Sequence, residues 1–216
     1  MKYRLGKPSD LNQIVILHFK VRDTYSLGYF SKMGKTFIQQ YYRIVLNDPY
    51  SVFVCAEDDN GTIRGFCSAS LNVVEQFKRM RKHKIVMALS SIPSFIVNPK
   101  LILETWKRYK ATKGENDEKF IPQEGARCEY WTWDSDYKDG ASSVALFNKY
   151  LVILHQLGVK ILPLDVDIEN KNTFSFHVLN KAEVIENITL SDGRQRTLLR
   201  YDLTARFSKN NKKLNT

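Results

Sequence analysis

The chain has 216 residues, of which 43% are hydrophobic and 12% aromatic, and it carries a formal net charge of +10. That composition is typical of a folded globular protein and excludes a largely disordered chain. The length predicts one domain with an insertion, or two small domains. The first residues lack the apolar run of a signal peptide, and no segment approaches the roughly 20 apolar residues of a spanning helix, so we expect a cytoplasmic protein.

The cysteines are few, scattered and odd in number: Cys55, Cys67 and Cys128. This usage predicts reduced thiols rather than a disulfide framework. No CxxC pair and no Cys/His cluster has the spacing of zinc ligands, so we predict no metal site.

The first half of the chain predicts two helices followed by a hairpin. Asp10 is a good N-cap for a helix whose apolar positions recur at helical spacing, and a second helix covers residues 35–48. Residues 51–70 then form two strands, joined at Asn60-Gly61 by a tight turn with two positive-φ positions. That turn places Val54 opposite Cys67 and Cys55 opposite Phe66, so the two thiols point to opposite faces of the sheet.

Residues 74–125 interrupt this pattern and read as an insertion. The segment "VVEQFKRMRKHKIVMALSSI" predicts one helix, and Asn98-Pro99 begins a second, "KLILETWKRYK", with Ile102, Trp106 and Tyr109 on one face. The polar segment "KGENDEKFIPQEG" predicts a loop.

The second half alternates strands and helices. A strand at 126–133 is followed by a loop, a helix to about His155 with Gly158 as its terminator, a strand "KILPLDVDI" and a short helix "NKNTFSFHVLNKA". A closing hairpin turns at Ser191-Asp192-Gly193-Arg194. The order predicts an α/β fold, with a mixed sheet and helices on its faces.

The loop between strand and helix, "DSDYKDGASS", has the outline of an anion site. A helix that starts directly after a strand presents free N–H groups and the positive end of its dipole to a ligand. Ala141, Ser142 and Ser143 are small enough to let a phosphate approach those amides, and Lys138 adds a cation. The same residues also suit an ordinary N-cap, and the loop alone does not separate these two interpretations.

The ordered set of motifs resembles the GNAT superfamily of N-acetyltransferases. The family's loop is similar to D-P-x-Y-R-G-x-G-x-G-x-x-L, and Asp134, Tyr137, Lys138 and Leu146 match it, while Ala141 and Ser143 stand where glycines are usual. Asn170 begins a segment that resembles N-x-x-A-x-x-(L/F)-Y-x-x-x-G-F. The resemblance extends over about 3–73 and 126–204 and includes the usual Gly65. It implies a mostly antiparallel sheet with helices on both faces.

The resemblance also implies a reaction, the direct attack of an amine on the thioester of acetyl-CoA without a metal. His177 stands where many relatives carry the tyrosine that protonates the departing thiolate, and a base could be Glu129 or Asp165. A lone histidine or a strand-end carboxylate is also a common structural residue. The implied acetyl-CoA site consists of the loop, the strand end that precedes it and the start of the next helix: Trp133, Asp134, Lys138, Asp139, Gly140, Ala141, Ser142, Ser143 and Asn170.

The insertion carries most of the charge, since residues 78–113 hold ten Lys or Arg against Glu104 alone. Four interpretations stay open: a solvated hairpin that packs its apolar stripe on the sheet, a site for an anionic small molecule, a membrane-surface helix pair, and a nucleic-acid surface. We rank the small molecule first, bound by Arg79, Arg81 and Lys107, then the membrane, then nucleic acid.

The sequence thus predicts a single GNAT-like domain at 1–204, with the insertion at 74–125 and a basic flexible tail at 205–216. The expected activity is acetyl transfer to a primary amine of a small acceptor. An anionic acceptor similar to an amino-sugar nucleotide is the candidate that the basic insertion favours. The alternative is a silent GNAT domain that binds an acyl-CoA or an anionic partner.

Overall fold

The computed structural model describes residues 1–22, 29–111, 124–189 and 195–211, without the side chains of 31, 108–111 and 209–211. The strands are β1 (Lys2–Leu5), β2 (Ser51–Glu57), β3 (Ile63–Ser70), β4 (Arg127–Trp133), β5 (Ile161–Asp167), β6 (Glu183–Thr189) and β7 (Gln195–Asp202). The helices are α1 (Leu11–Val21), α2 (Tyr29–Lys32), α3 (Lys35–Val45), α4 (Val73–Lys82), α5 (Lys84–Val97), α6 (Lys100–Ala111), α7 (Gly140–Gln156), α8 (Lys171–Leu179) and α9 (Leu203–Asn211). This order confirms the predicted alternation of strands and helices.

The strands form two antiparallel sheets rather than one. The first has the order β1-β2-β3-β4 and the second the order β5-β7-β6. β4 and β5 are the facing edges, and no ladder of hydrogen bonds joins them in the described part of the chain. Backbone N–H and C=O groups along these two edges are therefore not paired with each other and can bind other partners.

Each face of the first sheet is covered by its own helices. On one face α7 packs Leu146, Phe147 and Tyr150 against the sheet, and we call this cluster the α7 core. On the other face α1 and α3 pack Ile14 and Ile38, and we call this cluster the α3 core. The fold is therefore the predicted mixed α/β class with helices on both faces.

The strand register also agrees with the sequence. Val54 lies opposite Cys67 and Cys55 opposite Phe66, so Cys67 belongs to the α7 core and Cys55 to the α3 core. The predicted turn is wrong in detail, because of its two central residues Gly61 has a positive φ, at 76°, and Asn60 does not. A bulge between Ala56 and Glu57 absorbs the extra turn residue and restores the predicted register.

Asp10 stands at the predicted N-cap of α1, but its carboxylate does not cap that helix. It accepts two hydrogen bonds from Arg4, at 2.7 and 3.0 Å, and one from the amide of Lys7 at 2.8 Å. The guanidinium thus outcompetes the helix amides for this carboxylate, as expected for a charge-assisted bidentate pair.

The insertion differs from the sequence prediction in its helices. The first predicted helix is two, because the chain turns at His83 between α4 and α5, and α5 then continues through Pro93 to Val97. The Tyr109 side chain, residues 113–123 of the predicted loop and the turn at 191–194 lie outside the described residues. α9 extends to Asn211 within the predicted tail, and Phe207 packs on the α7 core.

Candidate functional site

The loop after β4 begins beside a close contact between two strands. Trp133 lies directly opposite Gly65 on β3, where an added Cβ would be only 2.4 Å from the indole ring. The Trp133 Nε1–H donates to the carbonyl of Tyr137 across 2.9 Å. A glycine at position 65 therefore permits the ring position that holds the start of the loop.

Asp134, predicted to contact the cofactor, anchors the loop instead. Its carboxylate is buried and pairs with Lys20 of α1 at 2.5 Å and with Arg64 of β3 at 3.1 Å. It also accepts the amide of Asp136 at 3.1 Å. These partners hold the pKa of Asp134 below its usual value against the opposing effect of burial. Both of its oxygens are occupied, so it fixes the loop against α1 and β3.

The start of α7 has the predicted features of an anion site and one feature that opposes it. A Cβ added at Gly140 would meet no atom within 4 Å, so the space above the first helical turn is open. Within the described chain the amides of Gly140 and Ala141 have no acceptor. The Ser142 amide, however, donates to the carboxylate of Asp139 at 2.9 Å, and the Ser143 amide donates to the Asp139 carbonyl at 3.2 Å.

Asp139 is therefore the N-cap of α7, and its negative charge lies at the place where a phosphate would bind. Hydrogen bonds from the Ser142 hydroxyl and amide lower the pKa of Asp139, so it is ionised at neutral pH. Lys138 is exposed beside it. The helix start thus offers two free amides and an open surface to an anion. The Asp139 carboxylate opposes binding there, because it would repel the anion unless it moved away.

Two other predicted residues, Asn170 and His177, belong to α8. Asn170 caps the helix, since its Oδ1 accepts the Thr173 amide at 3.2 Å. His177 is buried among Trp131, Phe147 and Phe176, and its Nδ1 lies 2.8 Å from the hydroxyl of Tyr201. Burial lowers the pKa of His177 to about 4, so the ring is neutral at pH 7.

Asp165, one of the two predicted bases, joins the two sheets across the gap. Its Oδ1 accepts from Arg127 Nη2 of β4 at 2.9 Å, and its Oδ2 lies 2.6 Å from Arg196 Nε of β7. Both oxygens of this carboxylate are thus engaged by guanidinium groups, so Asp165 has a structural role in joining the two sheets.

Glu129, the other predicted base, is in a different environment. Ser68 pairs with Tyr130 and Ala69 with Cys128, so Glu129 is the extra residue of a bulge in β4. Burial raises the pKa of Glu129 to about 7, against the opposing effect of the nearby Arg127. A carboxyl group with that pKa exchanges protons readily at neutral pH.

Three buried polar atoms on this face lack a well-aligned hydrogen bond in the described chain: Ser68 Oγ, Ser70 Oγ and Glu129 Oε2. Gln76 and Ser68 nevertheless lie close enough to Glu129 to lower its pKa in part. Ser68 and Ser70 alternate along β3 and so share the face of the α3 core. Gln76 of α4 covers this region and donates to Ser51 Oγ at 2.8 Å. Buried polar groups almost always have partners, so this cluster fits a polar ligand or bound water.

The chain was compared with known proteins. No family model matches it, and no curated protein matches it. Solved structures do match over nearly the whole chain. A ribosomal-protein-alanine N-acetyltransferase from Brucella melitensis is 11% identical, with a TM-score of 0.59, and the match covers 94% of this chain and 99% of that one. A mutant spermidine N-acetyltransferase from Vibrio cholerae is 10% identical, with a TM-score of 0.59 over 97% and 99%.

A third match is an aminoglycoside 6'-N-acetyltransferase complexed with coenzyme A, at 11% identity and a TM-score of 0.55, covering 94% of this chain and 97% of that chain. This chain has the GNAT fold. The identities lie far below the level at which a shared activity follows, so the likeness establishes the fold alone. The resemblance that the sequence motifs suggested is confirmed at that level.

The three predicted acceptor-binding residues, Arg79, Arg81 and Lys107, lie on helices of the insertion. Arg79 on α4 is bound to the buried carboxylate of Asp48 at 2.8 Å. Arg81 and Lys107 are exposed, on α4 and α6. No described contact joins the three side chains, so the structure does not gather them into one site.

The sequence predicted Glu129 as a candidate base but not the serines around it, nor the aromatic group around Trp131. Its ring centroid lies 4.3 Å from that of Phe176, and its buried Nε1 has no acceptor in the described chain. The alternating aromatics of "CEYWTW" were the available signal for this second group, whereas a bulge leaves no mark in the sequence.

Proposed function

We propose that this chain is an acyl-CoA-dependent N-acyltransferase that transfers acetyl from acetyl-CoA to a primary amine. One observation carries the proposal: Glu129, with its pKa raised to about 7, lies on a strand bulge beside unsatisfied buried polar atoms, in a fold whose neighbours include N-acetyltransferases. An amine offers the N–H donors that Glu129 Oε2 and the serine hydroxyls lack.

The start of α7 supports a place for the pyrophosphate of CoA. The free amides of Gly140 and Ala141 are donors aligned with the dipole of a 17-residue helix, and Lys138 adds a positive charge. The neighbour complexed with coenzyme A has the same fold. The gap between β4 and β5 would then receive the extended part of the cofactor.

The edge of β4 supports an oxyanion donor near Trp133. The amide of Asp134 donates to Arg64 of β3 at 2.7 Å, and successive amides of a strand point to opposite sides. The amide of Trp133 therefore points into the gap. A donor in that position would stabilise the negative charge that develops on the thioester oxygen.

Glu129 is the proposed base. It accepts a proton from the amine as the amine nitrogen bonds to the acetyl carbon, and the carbon–sulfur bond then breaks to release the CoA thiolate. We assign this role to Glu129 rather than Asp165, because both oxygens of Asp165 are already bound to arginine side chains. A base with a pKa near the working pH is the most effective one.

His177 is proposed to position the aromatic group rather than to protonate sulfur. With its pKa lowered to about 4 the ring is neutral, and one nitrogen already contacts Tyr201. A neutral imidazole is a poor general acid. In this scheme the thiolate takes its proton from solvent.

The acceptor is a primary amine with room for further groups. An anionic part, such as the diphosphate of an amino-sugar nucleotide, would have to use Arg81 and Lys107, because Arg79 already binds Asp48. An alternative function is a silent GNAT domain, and the ionised carboxylate of Asp139 on the Ser142 amide favours it.

The test is release of free CoA from acetyl-CoA in the presence of a panel of primary amines. We expect release above hydrolysis, with a kcat/KM that rises through about pH 7 as Glu129 ionises, and a loss of about 10²-fold in Glu129→Gln. Glu186→Gln, which changes an exposed carboxylate on β6, is the matched control. Binding of CoA without any amine-dependent release would support the silent domain and reject the transferase.

A further inference from the structure

The helix α5 exposes most of its large apolar side chains and buries its serines, while Met87 and Phe95 pack on the α3 core. The side chains turned toward the protein include Ser90, Ser91 and Ser94, all buried. The outward face of residues 85–97 is entirely apolar, and its large members are between 46% and 87% exposed: Ile85, Val86, Leu89, Ile92, Ile96 and Val97. A surface helix normally has the opposite arrangement. The open interpretation of a hairpin that packs its apolar stripe on the sheet therefore does not describe these outward side chains of α5.

The serines fix this orientation. Ser94 Oγ accepts the amide of Gly34 at 2.8 Å, at the start of α3. Ser90 and Ser91 donate to the carbonyl of Met87 at 2.8 Å each, so their hydroxyls are satisfied without solvent. Turning the apolar face inward would break the Gly34 contact, so the exposure of the apolar face is built into the packing.

The next helix also exposes large apolar side chains. On α6, Ile102, Leu103 and Trp106 are each more than half exposed, at 53%, 59% and 54%. We call the outward side chains of α5 together with these three the insertion face. Monomeric proteins rarely expose a contiguous apolar surface of this kind without a partner.

The charges around the insertion face are mostly positive, since Glu104 on α6 is the one acid in residues 76–107 and it pairs with Lys32 at 3.0 Å. Residues 76–103 contain no Asp or Glu and six Lys or Arg, including Lys82 and Lys84 at one end of α5 and Lys100 just beyond the other. Each of these three side chains is exposed. The partner must therefore offer an apolar interior bordered by negative charge.

This chemistry favours an anionic membrane over the other candidates. Pairing the face with a second copy around a two-fold axis would bring cationic rims together. Nucleic acid supplies the charge but no apolar layer for the centre of the face. A bilayer with anionic lipids supplies both, and it can cover the outward side chains of α5 and α6 together.

We propose that the insertion face binds the surface of an anionic phospholipid membrane. The α5 helix has 14 residues and a length of about 21 Å, and no helix in the described ranges is long and apolar enough to span a bilayer. It would lie in the plane of the interface with its isoleucines and leucine below the headgroups. Lys84 and Lys100 would contact lipid phosphates, and Trp106 would lie at the headgroup level.

The experiment is vesicle flotation with the full chain at about 0.15 M salt, using phosphatidylcholine with about 30% phosphatidylglycerol. We expect partitioning onto these vesicles, weaker partitioning onto pure phosphatidylcholine, and a blue shift of tryptophan fluorescence that Trp106→Phe removes. The double variant Leu89→Ser/Ile96→Ser should partition at least about tenfold more weakly. Both side chains point outward, so the variant should keep the melting temperature.

A matched control is Ile16→Ser on α1, where the isoleucine is 61% exposed outside the insertion face. It should partition like the unchanged chain, while Lys84→Glu/Lys100→Glu should lose the preference for anionic vesicles. Sedimentation analysis of the same proteins completes the test. Absence of vesicle binding would overturn the proposal, and dimerisation abolished by Leu89→Ser/Ile96→Ser would assign the face to a second copy instead.

Discussion

The carboxylate of Asp139 accepts the amide of Ser142 across 2.9 Å at the first turn of α7. In doing so it places a negative charge on the surface where the proposed cofactor would bring its pyrophosphate. The N-cap that stabilises the helix and the anion site that the helix start offers therefore compete for the same donors. This competition yields the first prediction.

The first prediction is that Asp139→Asn binds CoA several-fold more tightly. The substitution removes the charge but keeps a good N-cap, so the free energy of unfolding should change little. Isothermal titration with CoA measures the affinity. Asp59→Asn, a change at a fully exposed turn residue, should leave the affinity unchanged. Equal or weaker affinity in Asp139→Asn would show that the phosphate does not bind at this helix start.

The second prediction concerns the Gly140 amide. Gly140→Pro removes that N–H at the first helical position, where proline is tolerated, so CoA affinity should fall several-fold with little loss of melting temperature. Gly140→Ala is the matched control, because it keeps the amide and adds a Cβ into open space. If both variants bind CoA equally well, the Gly140 amide is not part of the site.

The sequence predicted the fold well because its strongest signals are local and periodic. The register at Val54 and Cys55 followed from side-chain alternation and a turn of limited length, and the bulge at Ala56/Glu57 corrected the error in the turn. The end of α7 at Gly158 followed from a glycine that adopts a φ of 87°.

The site was less predictable because its chemistry depends on long-range contacts. Asp165 and Glu129 are both strand carboxylates in the sequence, yet two arginines hold the first and a buried bulge surrounds the second. The same limit applied to α5, because a sequence shows its apolar face but not which way that face points. Asp134 matched the family motif and proved to be an anchor for Lys20 and Arg64.

The third prediction is that Gly65→Ala destabilises the fold. The added Cβ would lie 2.4 Å from the Trp133 ring and 2.9 Å from the Thr132 carbonyl, so the strands must shift. We expect a loss of about 1–3 kcal/mol in the free energy of unfolding, measured by urea denaturation. Gly140→Ala again serves as the control, and an unchanged Gly65→Ala variant would mean that Trp133 is free to move.

The last prediction concerns acid stability. Burial lowers the pKa of both His18 and His177 to about 4, from an ordinary value of 6.5. The unfolded state therefore binds more protons between those values, so each histidine contributes stability that is complete above about pH 6.5 and is lost as the pH falls through about 4. Glu129 has the opposite sign, because its pKa is raised to about 7 and protonation below that value favours the folded state.

The free energy of unfolding should fall between about pH 7 and about pH 5 in the unchanged chain because of His177. In His177→Phe we expect this fall to be smaller by roughly 2 kcal/mol. Any constant cost from the lost contact with Tyr201 cancels when only the pH dependence is compared. Glu129→Gln should lose more stability over the same interval, since it removes the group that gains stability in acid. Urea denaturation at several pH values gives the three slopes. Parallel slopes for His177→Phe and the unchanged chain would show that folding does not lower the pKa of His177, and would restore the residue as a candidate acid for the thiolate.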